Sequence, residues 1–570
     1  MNAELSPLVA ADYAVIAGFF ASMLGIGFYF SNRMRSLQDY FSGSRRIPWW
    51  ISGASFYMSS FSAFTFVAYS ALAYQYGWVS VTIYWVTVPA AIVSAVFFAS
   101  RWRRAAESSP LEYIEDRYSS SMRQSLAWLG APVKVIDGGL KLFALGSLVS
   151  AGLDFPLRPA IWLSGLIVLT YTLMGGLWAV MVTDFVQFVI LLAVVLLLVP
   201  LSLSKAGGIS GFWQSVPDGF FSMTTEKYNW TYLLAFLVII GLNFSTSWSL
   251  VQRYYCVRDE KAARKVGYMV AFLNIISPPL LFIPAMAASV FLPGLNQPND
   301  VYPLLCRALL PLGLMGMLIA AMFSATMSML SGDYNAVAAV LTNDVYKRFV
   351  SPRASLRRQL AAARIITLVI GLLSLWIALY VVNARQEGDL FQKMVKLFSV
   401  FLPPIALPML LGLINRKVSN AGSLWGLWLG ISAGLIAYWL GGREGLEFLR
   451  REQVITSLTV GFTIVGLIAG SLIFPVSARQ RGRIEQFFAH IESPAPQDAI
   501  IQESAGSAIS PFGIIGWSIA SLGGVLIAVL LVTAPWRQAL LSFAVGGIMT
   551  TIGGIFLAVA RHKGKENLHE

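Results

Sequence analysis

Hydroxyl-bearing residues crowd the centre of the apolar stretch 49–76, where a simple membrane anchor would carry few of them. Its densest part, 58–65, reads Met-Ser-Ser-Phe-Ser-Ala-Phe-Thr. Serine hydroxyls compete with the backbone hydrogen bonds of a helix, and a local unwinding would free carbonyl oxygens to hold a cation. A small-residue interface between helices also enriches serine and glycine, and it remains the alternative interpretation.

A second hydroxyl-rich segment lies within the apolar stretch 308–345. At about 100° per residue, one narrow stripe of this predicted helix contains Ser324, Ser328, Ser331 and Asn335. Asp333 falls near the opposite side of the same helix. Hydroxyl and carbonyl oxygens are hard ligands that suit a small hard cation such as sodium and poorly suit a transition metal. The stripe is therefore a candidate sodium-binding face.

Charged residues inside the apolar stretches are the third chemical signal. Asp184 lies in the stretch 176–204, and a carboxylate in hydrocarbon indicates a functional site, with a buried salt bridge or an interfacial position as the alternative. Lys134, Asp137 and Lys141 share one helical face by their spacing. An internal ion pair with the remaining lysine extending outward would explain them. The sharper hypothesis is that Lys141 or Lys134 pairs with a substrate carboxylate.

The elements that carry these residues are predicted to be membrane-spanning helices. The 570-residue chain is 57% hydrophobic and only 12% charged, a balance that a soluble core of this size could not hide from water. Apolar stretches of about 20 residues, each long enough to cross a bilayer as a helix, occur about fifteen times. They are 12–31, 49–76, 78–100, 124–150, 157–174, 176–204, 231–250, 266–291, 308–345, 360–383, 393–415, 423–440, 455–475, 511–533 and 538–560.

Basic residues concentrate in alternate loops, which the positive-inside rule assigns to the cytoplasm. Representatives are Arg45, Arg103, Arg253, Arg348, Arg416 and Arg481. This pattern predicts a multi-pass protein of the plasma or inner membrane with its N-terminus outside and its C-terminus in the cytoplasm. The net charge of +13 is then a topological signal, and we expect no nucleic-acid partner.

Enzyme chemistry is not predicted. The three histidines and two cysteines form no catalytic or metal-binding pattern, and no gap between the apolar stretches holds a soluble domain. The segment after Asp12 is too long for a cleavable signal peptide and is expected to remain as the first helix. The expected partners are a small solute, sodium and the lipid bilayer, with no obligate protein partner evident.

Several separate segments, in order and at plausible spacing, resemble the sodium:solute symporter family, which includes the glucose, proline, iodide, monocarboxylate and sialic acid cotransporters. They lie within about 10–420 and are Asp39-Tyr40-Phe41, Ile47-Pro48-Trp49-Trp50, Pro110-Leu111-Glu112-Tyr113, Gly175 to Val180 with Thr183-Asp184, Val251-Gln252-Arg253-Tyr254, Asn343-Asp344-Val345-Tyr346 and Pro404 to Arg416.

The resemblance implies an all-α polytopic fold with a ten-helix core. The core consists of two inverted halves, 49–204 and 231–415, with the first and sixth core helices broken at the midplane. The remaining parts are an extra N-terminal helix and loop (1–48), an extracellular loop (205–230), two accessory helices (416–475), a cytoplasmic connector (476–510) and two C-terminal helices with a tail (511–570).

The resemblance also implies a principal sodium site. Its ligands would be backbone carbonyls at Met58, Phe61 and Ala325 and the hydroxyl of Ser328. The second hydroxyl that similar proteins place there falls on Met329, which has none.

Some similar proteins bind a second sodium ion through a carboxylate, here Asp184, and two hydroxyl positions, here Ser331 and Gly332. Because Gly332 has no side chain, this site is half complete. The number of sodium ions stays open.

Solute contacts implied by the resemblance are Ser60, Phe64, Thr65 and Asn243, to which the charged face adds Lys141. The predicted function is sodium-coupled symport of a small organic solute, an organic acid or a sugar, by alternating access. A proton-coupled or exchange transporter of the same fold and a transporter-like membrane solute sensor are the alternatives.

Overall fold

The computed structural model describes residues 9–31, 45, 47–60, 62–105, 110–174, 177–383, 390–493, 511–533, 535 and 539–566. Regular structure in these ranges is helical, apart from one isolated β-bridge between Ile47 and Val257. The predicted sodium ligand Phe61, residues 32–44 and residues 494–510 of the connector lie outside the described residues.

The main helices, in chain order, are α1 (Ala10–Ser31), α2 (Trp49–Ser59), α3 (Ser70–Tyr76), α4 (Val79–Ala105), α5 (Ser120–Leu153), α6 (Leu157–Met174), α7 (Leu177–Lys205), α8 (Trp230–Thr246), α9 (Trp248–Tyr255), α10 (Glu260–Phe291), α11 (Leu314–Leu341), α12 (Leu356–Asn383), α13 (Leu390–Ile414), α14 (Asn420–Leu440), α15 (Glu452–Ile473), α16 (Ala478–Glu492), α17 (Pro511–Thr533) and α18 (Leu540–Glu566). Shorter α-helical pieces are Glu112–Arg117, Gly208–Ser215 and Val301–Leu309. Three segments are π-helical, namely Thr65–Tyr69, Ser94–Phe98 and Thr342–Val350.

The prediction of an all-α polytopic membrane protein is confirmed. In the described part of the chain, 12 helices are long and apolar enough to cross a membrane, or 13 if the bent pair α8 and α9 is one span. Two other predicted spans fall short of this criterion, because 49–76 is interrupted and α6 is short. The count of about fifteen crossings therefore stays a prediction.

The first serine-rich segment breaks its helix. Helix α2 ends at Ser59, and the Ser60 hydroxyl donates to the Tyr57 carbonyl at 2.8 Å, which takes an acceptor that a continuing helix would use. The chain becomes helical again at Ala63, whose N–H donates to the Thr326 hydroxyl of α11 at 2.8 Å. The break therefore faces the second serine-rich segment.

A second break separates α8 from α9. Their axes differ by 51° at Ser247, which leaves the helical conformation with ψ 124°. The Thr246 hydroxyl donates back to the Leu242 carbonyl at 2.7 Å and so competes for the acceptors of the last turn. Helices are thus broken at both places where the sequence predicted an interruption.

Helix α11 lies at the centre of the bundle. Within its most apolar window, 94% of the residues are buried inside the protein, against 22% for α18 at the periphery. The helix begins later than the predicted 308, because Gly313 adopts φ 80° and 301–309 forms a separate short helix.

The helices outside the ten-helix region pack against it. Helix α17 contacts α1 and α7 and pairs with α18. Phe512 of α17 and Phe556 of α18 join Trp50 and Phe185 in an aromatic cluster. Part of the predicted connector is helical, since α16 covers 478–492. This helix packs against α4 and against the short helix 112–117.

Candidate functional site

A cavity lies between the two helix breaks. It contains about 670 Å³ of space not filled by atoms, part of which is open to the surroundings. The predicted solute contacts that line it are Ser60, Phe64, Thr65, Asn243 and Lys141. The structure therefore brings all five of these residues together, and Ser62, Thr87 and Ser247 add further hydroxyls to the wall.

One wall of the cavity is charged. Lys141 Nζ is 2.5 Å from Asp137 Oδ2 and 3.3 Å from Asp333 Oδ2, whereas Lys134 Nζ is 3.0 Å from Asp333 Oδ1. Two lysines and two aspartates thus form a neutral group, which we call the charged tetrad. Such pairing is what allows ionised side chains to remain in a membrane interior.

Lys134 is the member of the tetrad most available to a ligand. Its side chain is 15% exposed, against 4% or less for Lys141, and it lines the cavity. Its ammonium carries three N–H donors. Two of them have partners in the described part of the chain, Asp333 and the Ser247 hydroxyl at 3.1 Å. The expectation that one lysine extends outward is wrong, because Asp333 of α11 holds it inward.

None of the four described residues of the serine stripe of α11 lines the cavity, and one of them, Ser328, faces α7. The Ser328 hydroxyl lies beside the Asp184 carboxylate, which is fully buried and accepts a short hydrogen bond from the Ser55 hydroxyl. Met329 points the other way and lines the cavity. The hydroxyl side of α11 and its solute side are therefore separate faces of one helix.

Some buried oxygens of α2, α7 and α11 have no partner. Among the described residues, Ser59 Oγ, Ser324 Oγ, Ser328 Oγ and Asp184 Oδ1 lack a hydrogen bond of normal geometry. A buried polar atom without a partner costs about 1 to 3 kcal/mol. Hydroxyl and carboxylate oxygens are suitable ligands for sodium, which would remove that penalty.

The other predicted sodium ligands in the described part of the chain are Met58, Ala325 and Ser331. Met58 is in the last turn of α2 and Ala325 is in α11, and both are buried completely. The contact between Ala63 and Thr326 ties the two segments together. Ser331 donates its hydroxyl to the Ser328 carbonyl at 3.0 Å, so this predicted ligand has an internal partner.

The guanidinium of Arg253 lies beside the half-complete second sodium site. Arg253 Nη2 is 3.7 Å from Asp184 Oδ2, and a Cβ added to Gly332 would lie 3.3 Å from Arg253 Nη1. The sequence-based assignment of Arg253 to a cytoplasmic loop is wrong, because it lies in α9 and is fully buried.

Two residues of this region, Asp333 and Ser249, were not selected from the sequence. Ser249 donates to Asp333 Oδ1 at 2.6 Å. The reasoning that selected Asp184, a carboxylate inside an apolar stretch, applies equally to Asp333 and would have found it. No sequence signal singles out Ser249.

Two broken helices that line the same polar cavity are typical of secondary transporters. The model of the sodium:solute symporter family matches residues 40–430, and the chain belongs to this family. It is a sodium-coupled solute symporter, with sodium as the co-transported ion. The predicted family, transport mode and ion are confirmed, and the curated relatives are transporters, not enzymes.

Two bacterial relatives transport sialic acid by name. The sodium/sialic acid symporter SiaT of Proteus mirabilis is 28% identical over 487 residues, covering 82% of this chain and 95% of the relative. The sodium/sialic acid symporter NanT of Aliivibrio fischeri is 25% identical, with coverages of 81% and 93%. A sodium/glucose cotransporter of Vibrio parahaemolyticus is 26% identical, with coverages of 73% and 83%.

Solved structures share the fold. A Na+-coupled sialic acid symporter in a substrate-bound outward-open state matches with TM-score 0.72 and 23% identity, covering 82% of this chain and 98% of that one. Mhp1, a nucleobase-cation-symport-1 family transporter, matches with TM-score 0.53 and 15% identity, covering 79% and 98%.

Proposed function

We propose that this protein uses sodium to transport a small solute that carries a carboxylate, with an acidic sugar such as sialic acid as the favoured candidate. The observation that carries the proposal is the position of Lys134 on the cavity wall, where one of its three N–H donors has no partner among the described residues. A carboxylate accepts from an ammonium in a charge-assisted hydrogen bond, which is stronger than a bond between neutral groups.

The rest of the cavity suits the hydroxyl groups of a sugar. Ser60, Thr65 and Asn243 supply donors and acceptors, and Phe64 supplies an apolar surface. A purely apolar organic acid would leave these groups without partners when it displaces water. The two sialic acid symporters among the relatives support the same choice.

For sodium, we propose the oxygens between α2, α7 and α11. The ligands would be the carbonyls of Met58 and Ala325 and the hydroxyl of Ser328, with Asp184 contributing charge. Phe61 completes this set in the sequence-based prediction. Ser331 would contribute if its hydroxyl turned away from its present backbone partner.

Transport would follow alternating access around this fixed pair of sites. The halves 49–204 and 231–415 would form the inverted repeats, with the other segments bounded as predicted from the sequence. The protein would lie in the plasma or inner membrane with the N-terminus outside and the C-terminus in the cytoplasm. Each sodium ion entering at about −100 mV contributes roughly 2.3 kcal/mol from voltage. A reporter fused to each terminus tests the orientation.

Uptake into proteoliposomes tests the solute and the ion together. Labelled sialic acid should accumulate when sodium is outside and should not when potassium replaces it. Unlabelled carboxylate-bearing sugars should compete, and glucose should not. Uptake driven by a pH gradient instead of sodium, or competition by glucose as strong as by sialic acid, would contradict the proposal.

The Lys134→Met variant tests the carboxylate contact. Loss of one charged hydrogen bond removes about 1.5 to 3 kcal/mol, which weakens apparent affinity by roughly 10- to 150-fold. Lys396→Met is the matched control, because Lys396 lies in α13, pairs with Glu452 at 3.8 Å and does not line the cavity. Equal uptake by the two variants would refute a role for Lys134.

A further inference from the structure

A line of polar contacts joins the wall of the cavity to Asp184 through the short helix α9. Lys134 and the Ser249 hydroxyl both contact Asp333 Oδ1, at 3.0 and 2.6 Å. The Ser249 carbonyl accepts from Arg253 Nη1 at 2.6 Å, and Arg253 Nη2 is 3.7 Å from Asp184. We call these five residues the α9 relay. It spans three helices, α5, α11 and α7, through α9.

The charges along the relay alternate. In order they are Lys134 positive, Asp333 negative, Arg253 positive and Asp184 negative. All but Lys134 are at most 1% exposed. Because water does not screen buried charges well, a change in the partner of one member alters the field at the next.

At Arg253 and Asp184, the end of the relay next to the proposed sodium site, some hydrogen bonds are missing. Arg253 Nη2 and Asp184 Oδ1 each lack a hydrogen bond of normal geometry in the described part of the chain. Residue 332 is glycine, and Arg253 lies directly beside it. This glycine places no side chain between the Arg253 guanidinium and this turn of α11, and Asp333 is the next residue.

We propose that Arg253 is a positioning residue that couples the sodium site to the solute site by shifting between Asp184 and Asp333. This inference rests on the proposed function, because it takes Asp184 as a neighbour of bound sodium and Lys134 as the partner of the solute carboxylate. Sodium at Asp184 weakens the hold of that carboxylate on Arg253. The guanidinium then moves towards Asp333, which releases Lys134 for the solute.

The coupling must act in both directions. A solute carboxylate on Lys134 withdraws that lysine from Asp333, so that Asp333 attracts Arg253 and leaves Asp184 available to sodium. By linkage, sodium raises the affinity for solute by the same factor as solute raises the affinity for sodium. If these ion pairs had a purely structural role, the affinity for sodium would not depend on the partner of Lys134.

Binding of ²²Na+ to the purified full chain, without any solute, tests the relay. Lys134→Met imitates the withdrawal of Lys134, so the sodium dissociation constant should fall about fivefold, the lower end of typical coupling between sites. In the Arg253→Gln background the same substitution should change it by less than about twofold. Lys396→Met should leave it unchanged.

Ser249→Ala provides a second route if Arg253→Gln does not fold. It removes the hydroxyl that fixes Asp333 to α9 but keeps the carbonyl that binds Arg253, so it should reduce the effect of Lys134→Met without abolishing it. An effect of Lys134→Met that persists undiminished in both backgrounds, or no effect in the native background, would overturn the relay. Absence of saturable sodium binding by the native chain would instead overturn the proposed sodium site and, with it, the coupling.

Discussion

The charged tetrad predicts a large loss of stability when one carboxylate is removed. Asp333 is 1% exposed and faces the ammonium groups of both Lys134 and Lys141. The Asp333→Asn variant leaves the buried Lys141 and the partly buried Lys134 with only Asp137. Breaking a buried ion pair from one side costs about 3 to 5 kcal/mol, because the remaining charge stays desolvated.

The same reasoning predicts a rescue. Removing Lys134 as well, in an Asp333→Asn and Lys134→Met double variant, restores neutrality and leaves the 2.5 Å pair between Lys141 and Asp137 intact. We expect the double variant to regain roughly half of the lost stability. Unfolding in mixed micelles at increasing denaturant measures the free energy of each variant.

An exposed ion pair of similar length is the control. Arg416 and Glu492 are 2.6 Å apart, but their side chains are 53% and 60% exposed. Glu492→Gln should cost no more than about 1 kcal/mol. If Asp333→Asn were as mild as Glu492→Gln, or if the double variant were less stable than Asp333→Asn, the tetrad would not be the buried neutral group described above.

Three further outcomes follow from individual contacts. Asp12→Asn removes a carboxylate that caps the first turn of α11, and we expect a loss of about 1 kcal/mol in the same unfolding assay. Gly146→Val would place a side chain against both the side chain and the Cα of Ile161 in α6. The resulting overpacking should lower the thermal midpoint clearly. Burial opposes ionisation of Glu115, but hydrogen bonds from Arg348 and the charges of Arg348 and Arg123 outweigh it and lower the pKa of this carboxyl. A lowered folded-state pKa contributes stability above the unfolded-state pKa, which is lost as the pH falls through the folded value. Thermal midpoints between pH 7 and pH 3 should therefore fall less in Glu115→Gln than in the native chain.

The sequence predicted the features that depend on local chemistry. The hydroxyls around Ser59 and Ser60 compete with the backbone hydrogen bonds of a helix, and the structure breaks at that point. The helical period also predicted that Ser328 and Asp333 lie on different sides of α11. In the structure Ser328 lies beside Asp184, whereas Asp333 pairs with Lys134.

Features that depend on which helices meet could not be predicted in this way. The positive-inside rule assigned Arg253 to a cytoplasmic loop. A basic residue near the end of an apolar stretch looks the same in the sequence whether it faces water or a buried carboxylate. Lys134 and Asp333 are 199 positions apart, and only the packing of α5 on α11 makes them partners. The spacing within 134–141 pointed to one ion pair and could not show the fourth member.

Helix α11 is held differently at its two ends. At its start, Asp12 of α1 accepts from the Gly316 N–H at 2.9 Å, and the Ser542 hydroxyl of α18 donates to the Leu312 carbonyl at 2.8 Å. At its other end the helix continues as the π-helical segment Thr342–Val350, in which the regular hydrogen-bond ladder is replaced by a wider one. Ion pairs between Asp344 and Arg123 and between Arg348 and Glu115 fix this end to α5 and to the short helix 112–117. Helix α1 and the hairpin of α17 and α18 hold the start of α11 through hydrogen bonds. The serines three to four turns further along α11 therefore keep a constant distance from this anchored end.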